Sequence, residues 1–520
     1  MTTKHCKLAS FSPAQWTIVS KSKCFARRTL ITSFILLAIS SLTPAFAASD
    51  PAAALAKIEP HLASTIALGG NSEMLIILGE QADLSGAANL PTKLQKGIYV
   101  YNALRAVAER SQAPLRKMLQ DRGIPFQSFF SVNMIKVTAS RDEIYEIAGR
   151  DEVVRIEANP RVKSTIPTPS NTLSAAQQSQ IANPAVQTPG VIEWNVQRVN
   201  APQVWALGYK GQGMVVAGAD TGVQWDHIAL KGHYRGWNGT TVSHDYNWHD
   251  ATIYHSPTPV DPQFHGTFTM SEMVGDDGLG NQIGVAPGAK FIACRNMDNH
   301  GVGSPAQYIE CFDFLLAPYP IGHPELANPT MAPDVINNSW ACPPSEGCSI
   351  TTLQQIVDAV RAAGIFEAMA TGNSGSGCST VNTPPEFYAS SVSVGATDSR
   401  NTIAYFSSRG PVTADHSGRL KPDLVAPGVN IRGAIPYQNM YQGYWQGTSM
   451  SAPEVAAAVA LLWQAKPNLI GNVTLTLWYL TQNATPLTST QNCGSFHGTS
   501  IPNAVYGYGM LNILKAVQAP

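Results

Sequence analysis

Met214-Val-Val-Ala-Gly-Ala-Asp220-Thr221-Gly222 reads as a buried strand running into a polar loop. Met214–Ala217 is a short apolar run rich in β-branched valine, and small residues then lead to Asp-Thr-Gly. Around this stretch, from Val191 onward, short apolar runs alternate with helical patterns. Lys290–Ala293, Val335-Ile336, Phe366–Ala370 and Val392–Val394 read as strands; Ser304–Leu316, Leu353–Ala363 and Ala452–Ala465 read as helices. Alternating β and α predicts an α/β fold, a mainly parallel sheet with helices on both faces. In such sheets functional groups gather beyond the carboxyl ends of the strands.

Upstream lies a separate unit, about residues 71–162. Met74–Leu78 is a strand, and Tyr99–Leu119 carries Leu104, Val107, Leu115 and Met118 at helical spacing until Gly123 stops it. Phe126–Phe130 and Met134–Val137 follow as two strands, Arg141–Ala148 as a helix and Val153–Ile156 as a last strand. The order β-α-β-β-α-β is the small α+β ferredoxin-like pattern. Between Pro160 and Pro189 the chain is rich in Ser, Thr, Pro, Gln and Ala and reads as an exposed, easily cut linker.

The 520 residues hold 34 Lys+Arg against 35 Asp+Glu, a net charge of −1, which argues against an electrostatic nucleic-acid binder. Apolar residues make up 44 %, enough for a sizeable core. No apolar run is long enough to span a bilayer. Residues 1–47 instead read as an export signal. Lys21, Lys23, Arg27 and Arg28 precede the apolar stretch Leu30–Leu42, and Ala45-Phe46-Ala47 fits a cleavage site before Ala48. The flanks of Arg27-Arg28 fit a twin-arginine signal poorly, so the ordinary secretory route is expected. The chain is thus expected outside the cytoplasm, extracellular or periplasmic, with no membrane attachment after the signal is removed. Six cysteines lie beyond the leader: Cys294, Cys311, Cys342, Cys348, Cys378 and Cys493. An even set in an exported chain predicts disulfides, and the absence of any C-x2-C speaks against zinc. Cys342 and Cys348 bracket a short loop, as do Cys294 and Cys311, which leaves Cys378 for Cys493.

Three loops carry the chemistry. Asp220-Thr221-Gly222 follows a strand, His265-Gly266-Thr267 opens the helical stretch Phe268–Val274, and Gly447-Thr448-Ser449-Met450 precedes the helix Ala452–Ala465, whose start Pro453 is expected to fix. Each motif alone is an ordinary turn, loop or cap. Together an Asp, a His and a Ser are the parts of a nucleophilic triad, and their chain order is that of subtilisin. No G-x-S-x-G elbow is present, which disfavours a lipase or esterase.

With Val335-Ile-Asn-Asn-Ser-Trp340, Ala370-Thr-Gly-Asn-Ser-Gly375, Phe406-Ser-Ser-Arg-Gly-Pro411, Lys421-Pro-Asp-Leu-Val-Ala-Pro-Gly428 and Tyr506-Gly-Tyr-Gly-Met510 also in order, the chain resembles a subtilisin-family serine protease, most of all the bacillopeptidase-F-like branch. The resemblance runs from about residue 192 to 515 and implies a secreted serine endopeptidase. In it Ser449 attacks, His265 takes the proton and Asp220 orients the imidazole. Asn373 matches the family's side-chain oxyanion donor, whose loss in subtilisin lowers the rate by about 10²–10³. The unit before the linker resembles the family's inhibitory propeptide. The implied layout is signal peptide 1–47, propeptide 48–162, linker with maturation site 163–190 and catalytic domain 191–520. The implied partners are protein or peptide substrates and the chain's own propeptide; a monomer is expected. No cofactor is required for the chemistry, and structural calcium, which the family often carries, has no assignable site. The chain departs from the family at Glu454, where His is usual, and at Ala457, where Gly is. The rival reading is a subtilase fold kept for binding, disfavoured because the triad residues and Asn373 are all present.

Overall fold

The computed structural model describes residues 51–164, 191–436 and 440–520. The leader 1–47 and the linker beyond Ser164 lie outside the described residues. Among those described, no helix is long and apolar enough to cross a membrane.

The N-terminal unit is built from β1 (Asn71–Leu78), the helix Lys93–Asp121, β2 (Phe126–Phe129), β3 (Met134–Ser140), the helix Arg141–Ala148 and β4 (Val153–Ala158). Its sheet has the order β2-β3-β1-β4 with antiparallel neighbours, the ferredoxin-like arrangement. The first long helix starts six residues earlier than its apolar spacing suggests. Its opening turns face the larger body: Lys93 pairs with Asp334 at 2.9 Å, and Lys96 Nζ donates to the Gly471 carbonyl. Sequence periodicity also misses two short helices, Pro51–Ala56 and Pro60–Ala67. The second is started by Glu59, whose carboxylate accepts from the His61 and Leu62 N–H groups. One face of the sheet packs on Leu62, Leu115, Leu119, Ile144 and Ile147.

After β4 the sequence predicts only linker, and here the structure differs. Val162 and Lys163 form β5, paired antiparallel with β9 (Val302–Gly303) of the larger body. Val162 is buried, and this tertiary pairing is invisible in local composition.

The larger body is a seven-stranded sheet, β6 (Val215–Asp220), β7 (Trp248–Asp250), β8 (Lys290–Arg295), β10 (Val335–Asn338), β11 (Phe366–Ala370), β12 (Val392–Thr397) and β13 (Leu424–Pro427). The order is β13-β12-β11-β10-β6-β8-β7, and every neighbouring pair is parallel. Successive side chains point to opposite faces, so each strand feeds two cores. Val216, Phe291 and Phe366 pack with the helices His265–Val274 and Thr448–Ala465. Ala217, Ile292 and Ile336 pack with the helices Pro305–Leu316 and Gln354–Ala362. That second core is continuous with Leu75, Val100, Leu104 and Phe129 of the N-terminal unit. A hairpin, β14 (Ile431–Ile435) with β15 (Met440–Trp445), lies over Phe268, whose ring stacks on Trp445 at 4.7 Å. Three disulfides are present: Cys294–Cys311, Cys342–Cys348 and Cys378–Cys493.

Candidate active site

Asp220 is the last residue of the interior strand β6, two neighbours in from the β7 edge, so its carboxylate emerges at the carboxyl end of the sheet. Its Oδ1 accepts from the Thr221 N–H and from His265 Nδ1, each at 2.7 Å, and Thr269 Oγ1 donates to Oδ2 at 3.3 Å. His265 is the first residue of its helix and is 1 % exposed. With Nδ1 donating to Asp220, the proton is held on that nitrogen, and Nε2 stays buried without a protein hydrogen-bond partner. Burial works to lower the His265 pKa. The charge and hydrogen bond of Asp220, helped by Asp261, outweigh it and leave the imidazole more basic than an ordinary histidine.

The motif loops are held together by Asp261, a residue that sequence reasoning missed. Its buried carboxylate accepts from Thr221 Oγ1, from the Gln263 and Phe264 N–H groups, and from the N–H and hydroxyl of Thr267. Thr221 Oγ1 in turn accepts from the Gly266 N–H. Asp261 therefore lashes the Asp-Thr-Gly loop to the start of the His265 helix; an Asp four residues before His-Gly-Thr was the available signal. Gly222 and Gly266 permit the close approach. A Cβ on Gly266 would lie 2.1 Å from the Gly222 carbonyl, and one on Gly222, at φ +118°, 1.8 Å from that of Val260.

Ser449 stands in the first turn of the helix Thr448–Ala465, which packs against the His265 helix. The expected helix start is corrected: Pro453 lies inside the helix, not at its head. Proline has no N–H to return to the Ser449 carbonyl one turn back, and Ser339 Oγ donates to that carbonyl instead, at 3.0 Å. The Ser449 hydroxyl rests 3.4 Å from the Ser339 carbonyl, so the bond to His265 Nε2 is unmade in this rotamer. Asn373, in the loop after β11, is exposed. Its Oδ1 accepts from the N–H and hydroxyl of Thr448 at 2.9 and 3.0 Å, which fixes the amide so that Nδ2 is the free face.

Ser449 and Asn373 line a cavity of about 200 Å³ whose walls include Ser339–Ala341 and Ala370 with Gly372. Lys163 and Ser164, at the end of β5, line the same cavity. They are held by the Ser164 N–H donating to Gly301 O and the Lys163 N–H donating to Glu346. Several other histidines are tied elsewhere: His249 to Glu310, His244 to Tyr234, His227 to the Met440 carbonyl and His323 to Glu325. Among the described residues no three His, Cys, Asp or Glu side chains are grouped to hold a metal ion.

A buried Asp–His pair at the carboxyl end of a parallel sheet, with a serine at the head of the adjoining helix, is the architecture of a serine hydrolase of the subtilisin type. Residues 211–509 match the sequence profile of the subtilase family, and the chain belongs to that family of serine-type endopeptidases. It is 38 % identical over 444 residues to bacillopeptidase F of Bacillus subtilis (strain 168), covering 82 % of this chain and 29 % of that protein. It is 26 % identical over 422 residues to subtilisin E of the same organism, covering 81 % and 90 %. Over 304 residues it is 31 % identical to subtilisin Savinase of Lederbergia lenta, covering 58 % and 95 %. The chain thus spans well under two thirds of bacillopeptidase F but nearly all of the shorter subtilisins.

Proposed function

We propose that the protein is an exported serine endopeptidase made as a self-activating zymogen. The His265 imidazole carries this reading: Nδ1 is fixed on Asp220, and Nε2 is buried, basic and unpartnered. Rotation of the Ser449 hydroxyl from Ser339 to Nε2 arms the nucleophile. Oγ then attacks the peptide carbonyl while its proton passes to Nε2, and the imidazolium is stabilised by Asp220. Charge developing on the carbonyl oxygen meets Asn373 Nδ2 and the Ser449 N–H, which has no acceptor within its helix. Nε2 returns the proton to the leaving amine, and water releases the acyl group by the same steps reversed.

Regulation of this site follows from β5. A strand of the chain's own N-terminal unit is added to β9, and Lys163 and Ser164 line the cavity of Ser449; this supports a reading in which the segment blocks the cleft as a bound product would. In this reading residues 48–162 are the inhibitory propeptide, and self-cleavage within Arg161–Gly190 leaves residues 191–520 as the mature domain. Residues 1–47 direct export. No group beyond the chain's own side chains is needed for the chemistry. The direct test is labelling by a fluorophosphonate probe together with casein hydrolysis by the processed protein, both lost in Ser449→Ala. Labelling without casein cleavage would favour an esterase, and absence of both a binding protein.

A further inference from the structure

The cavity beside Ser449 contains a carboxylate that the reaction does not use. Glu386 lines it together with Thr383, Trp340 and Gly372. The side chain is 1 % exposed, and its Oε1 accepts from the Thr383 N–H at 3.1 Å. Its Oε2 is seated against Gly372: a Cβ there would lie 2.7 Å from that oxygen, and the φ of +90° also favours glycine. Gly372 thus makes the room through which the carboxylate reaches the cavity. No Lys, Arg or His among the described residues forms an ion pair with Glu386, and burial holds its pKa well above the ordinary carboxylate range. A buried acid without a counter-charge is costly to ionise, and a ligand that brings the missing cation removes that cost.

The bound segment indicates where such a ligand enters. The chain from Val162 to Ser164 runs along β9 into the cavity shared by Ser449, Asn373 and Glu386. A peptide lying in this direction places the side chain of the residue before the scissile bond between the walls and toward Glu386. Resting on the endopeptidase reading, we propose that Glu386 is the specificity-determining residue of this cleft and selects Lys or Arg immediately before the bond that is cut. A guanidinium or ammonium supplies charge-assisted hydrogen bonds to the carboxylate, an apolar side chain leaves it unpaired, and an acidic one repels it. Within the proposed maturation stretch Arg161–Gly190 the basic residues are Arg161 and Lys163, and Lys163 itself lines the cavity with Glu386.

The test compares kcat/KM for fluorogenic peptides identical except for Arg, Leu or Glu before the scissile bond, using the processed wild-type enzyme and Glu386→Gln. The amide matches the carboxylate in size and still accepts from the Thr383 N–H. The wild type should prefer Arg over Leu by about 100-fold and reject Glu, and Glu386→Gln should collapse the Arg/Leu ratio by about the same factor. Benzamidine should compete with the Arg peptide on the wild type, a readout that stands even if the variant fails to fold. Casein hydrolysis and fluorophosphonate labelling with no preference for Arg, no competition by benzamidine, or an Arg/Leu ratio unchanged in Glu386→Gln would overturn the assignment and leave the protease reading in place. A wild type that neither labels nor cuts would overturn both.

Discussion

His265 is worth following at the level of single atoms, because its two nitrogens have been given opposite surroundings. Asp220 raises the imidazole's basicity against the effect of burial, so the acid limb of kcat/KM should lie above the ordinary histidine value near 6.5. Asp220→Asn removes both the charge and the acceptor. It should move that limb to lower pH and cut kcat by about 10⁴-fold; a pH–rate profile reads both effects, and an unmoved limb would detach Asp220 from the base. Glu454, where the family usually has His, has a different consequence. Its carboxyl is buried against Glu272, receives one hydrogen bond from Asn195 Nδ2 at 2.5 Å, and is pushed up to about 8 by burial. A carboxyl raised from 4.5 in the unfolded chain to about 8 stabilises the fold at low pH, and that contribution is lost as pH rises between the two values. Between pH 6 and 9 this site alone should remove about 2–3 kcal/mol, and Glu454→Gln should abolish most of that loss in chemical denaturation at the two pH values. Equal pH slopes for the two proteins would contradict it.

Elements differ in how far local sequence announces them. Strands such as Phe366–Ala370 and the helix Arg141–Ala148 are legible because an apolar run or capping box is complete within the segment itself. Pro453 misled because the device that tolerates it, the Ser339 hydroxyl on the Ser449 carbonyl, is contributed from a distance of 110 residues in sequence. β5 was hidden for the same reason: two residues in a Pro- and Ser-rich stretch become a strand only against β9. Asp220, His265, Ser449 and Asn373 stand out through their motifs; Asp261 is marked only by its place four residues before His265, and Glu386 acquires meaning only from its neighbours. The helix Pro305–Leu316 supplies a further expectation. Its Asp313 accepts from the Phe130 and Ser131 N–H groups of the N-terminal unit, and burial raises its carboxyl from 3.8 to about 7 against those bonds, which lower it. A carboxyl more readily protonated in the complex than after separation strengthens the association at lower pH. After the proposed self-cleavage the two parts should dissociate more readily at pH 8 than at pH 6, by up to about tenfold where separation exposes the Asp313 carboxyl fully. Asp313→Asn should flatten this dependence, as followed by the onset of casein hydrolysis.

The whole molecule is arranged so that one body's sheet and the other's helices share a core, while a strand of the first ends in the cleft of the second. Polar contacts reinforce the seam: Gln127 Nε2 donates to Glu310 at 2.6 Å, Arg161 meets Asp298 at 3.2 Å, and Asn159 Oδ1 accepts from the Ala306 N–H at 3.0 Å. Ala306 is the second residue of the helix Pro305–Leu316, so Asn159 occupies an N–H group that the helix cannot satisfy internally. In the zymogen reading proposed for this chain, the N-terminal unit is released only when the chain is cut, and the proposed agent of the cut is Ser449 itself. The intact mass of wild-type and Ser449→Ala proteins, each purified free of other proteases, tests this most directly. The wild type should separate into two pieces divided within Arg161–Gly190, and Ser449→Ala should remain one chain containing residues 71–162. A Ser449→Ala protein cut at the same place to the same extent would contradict the account.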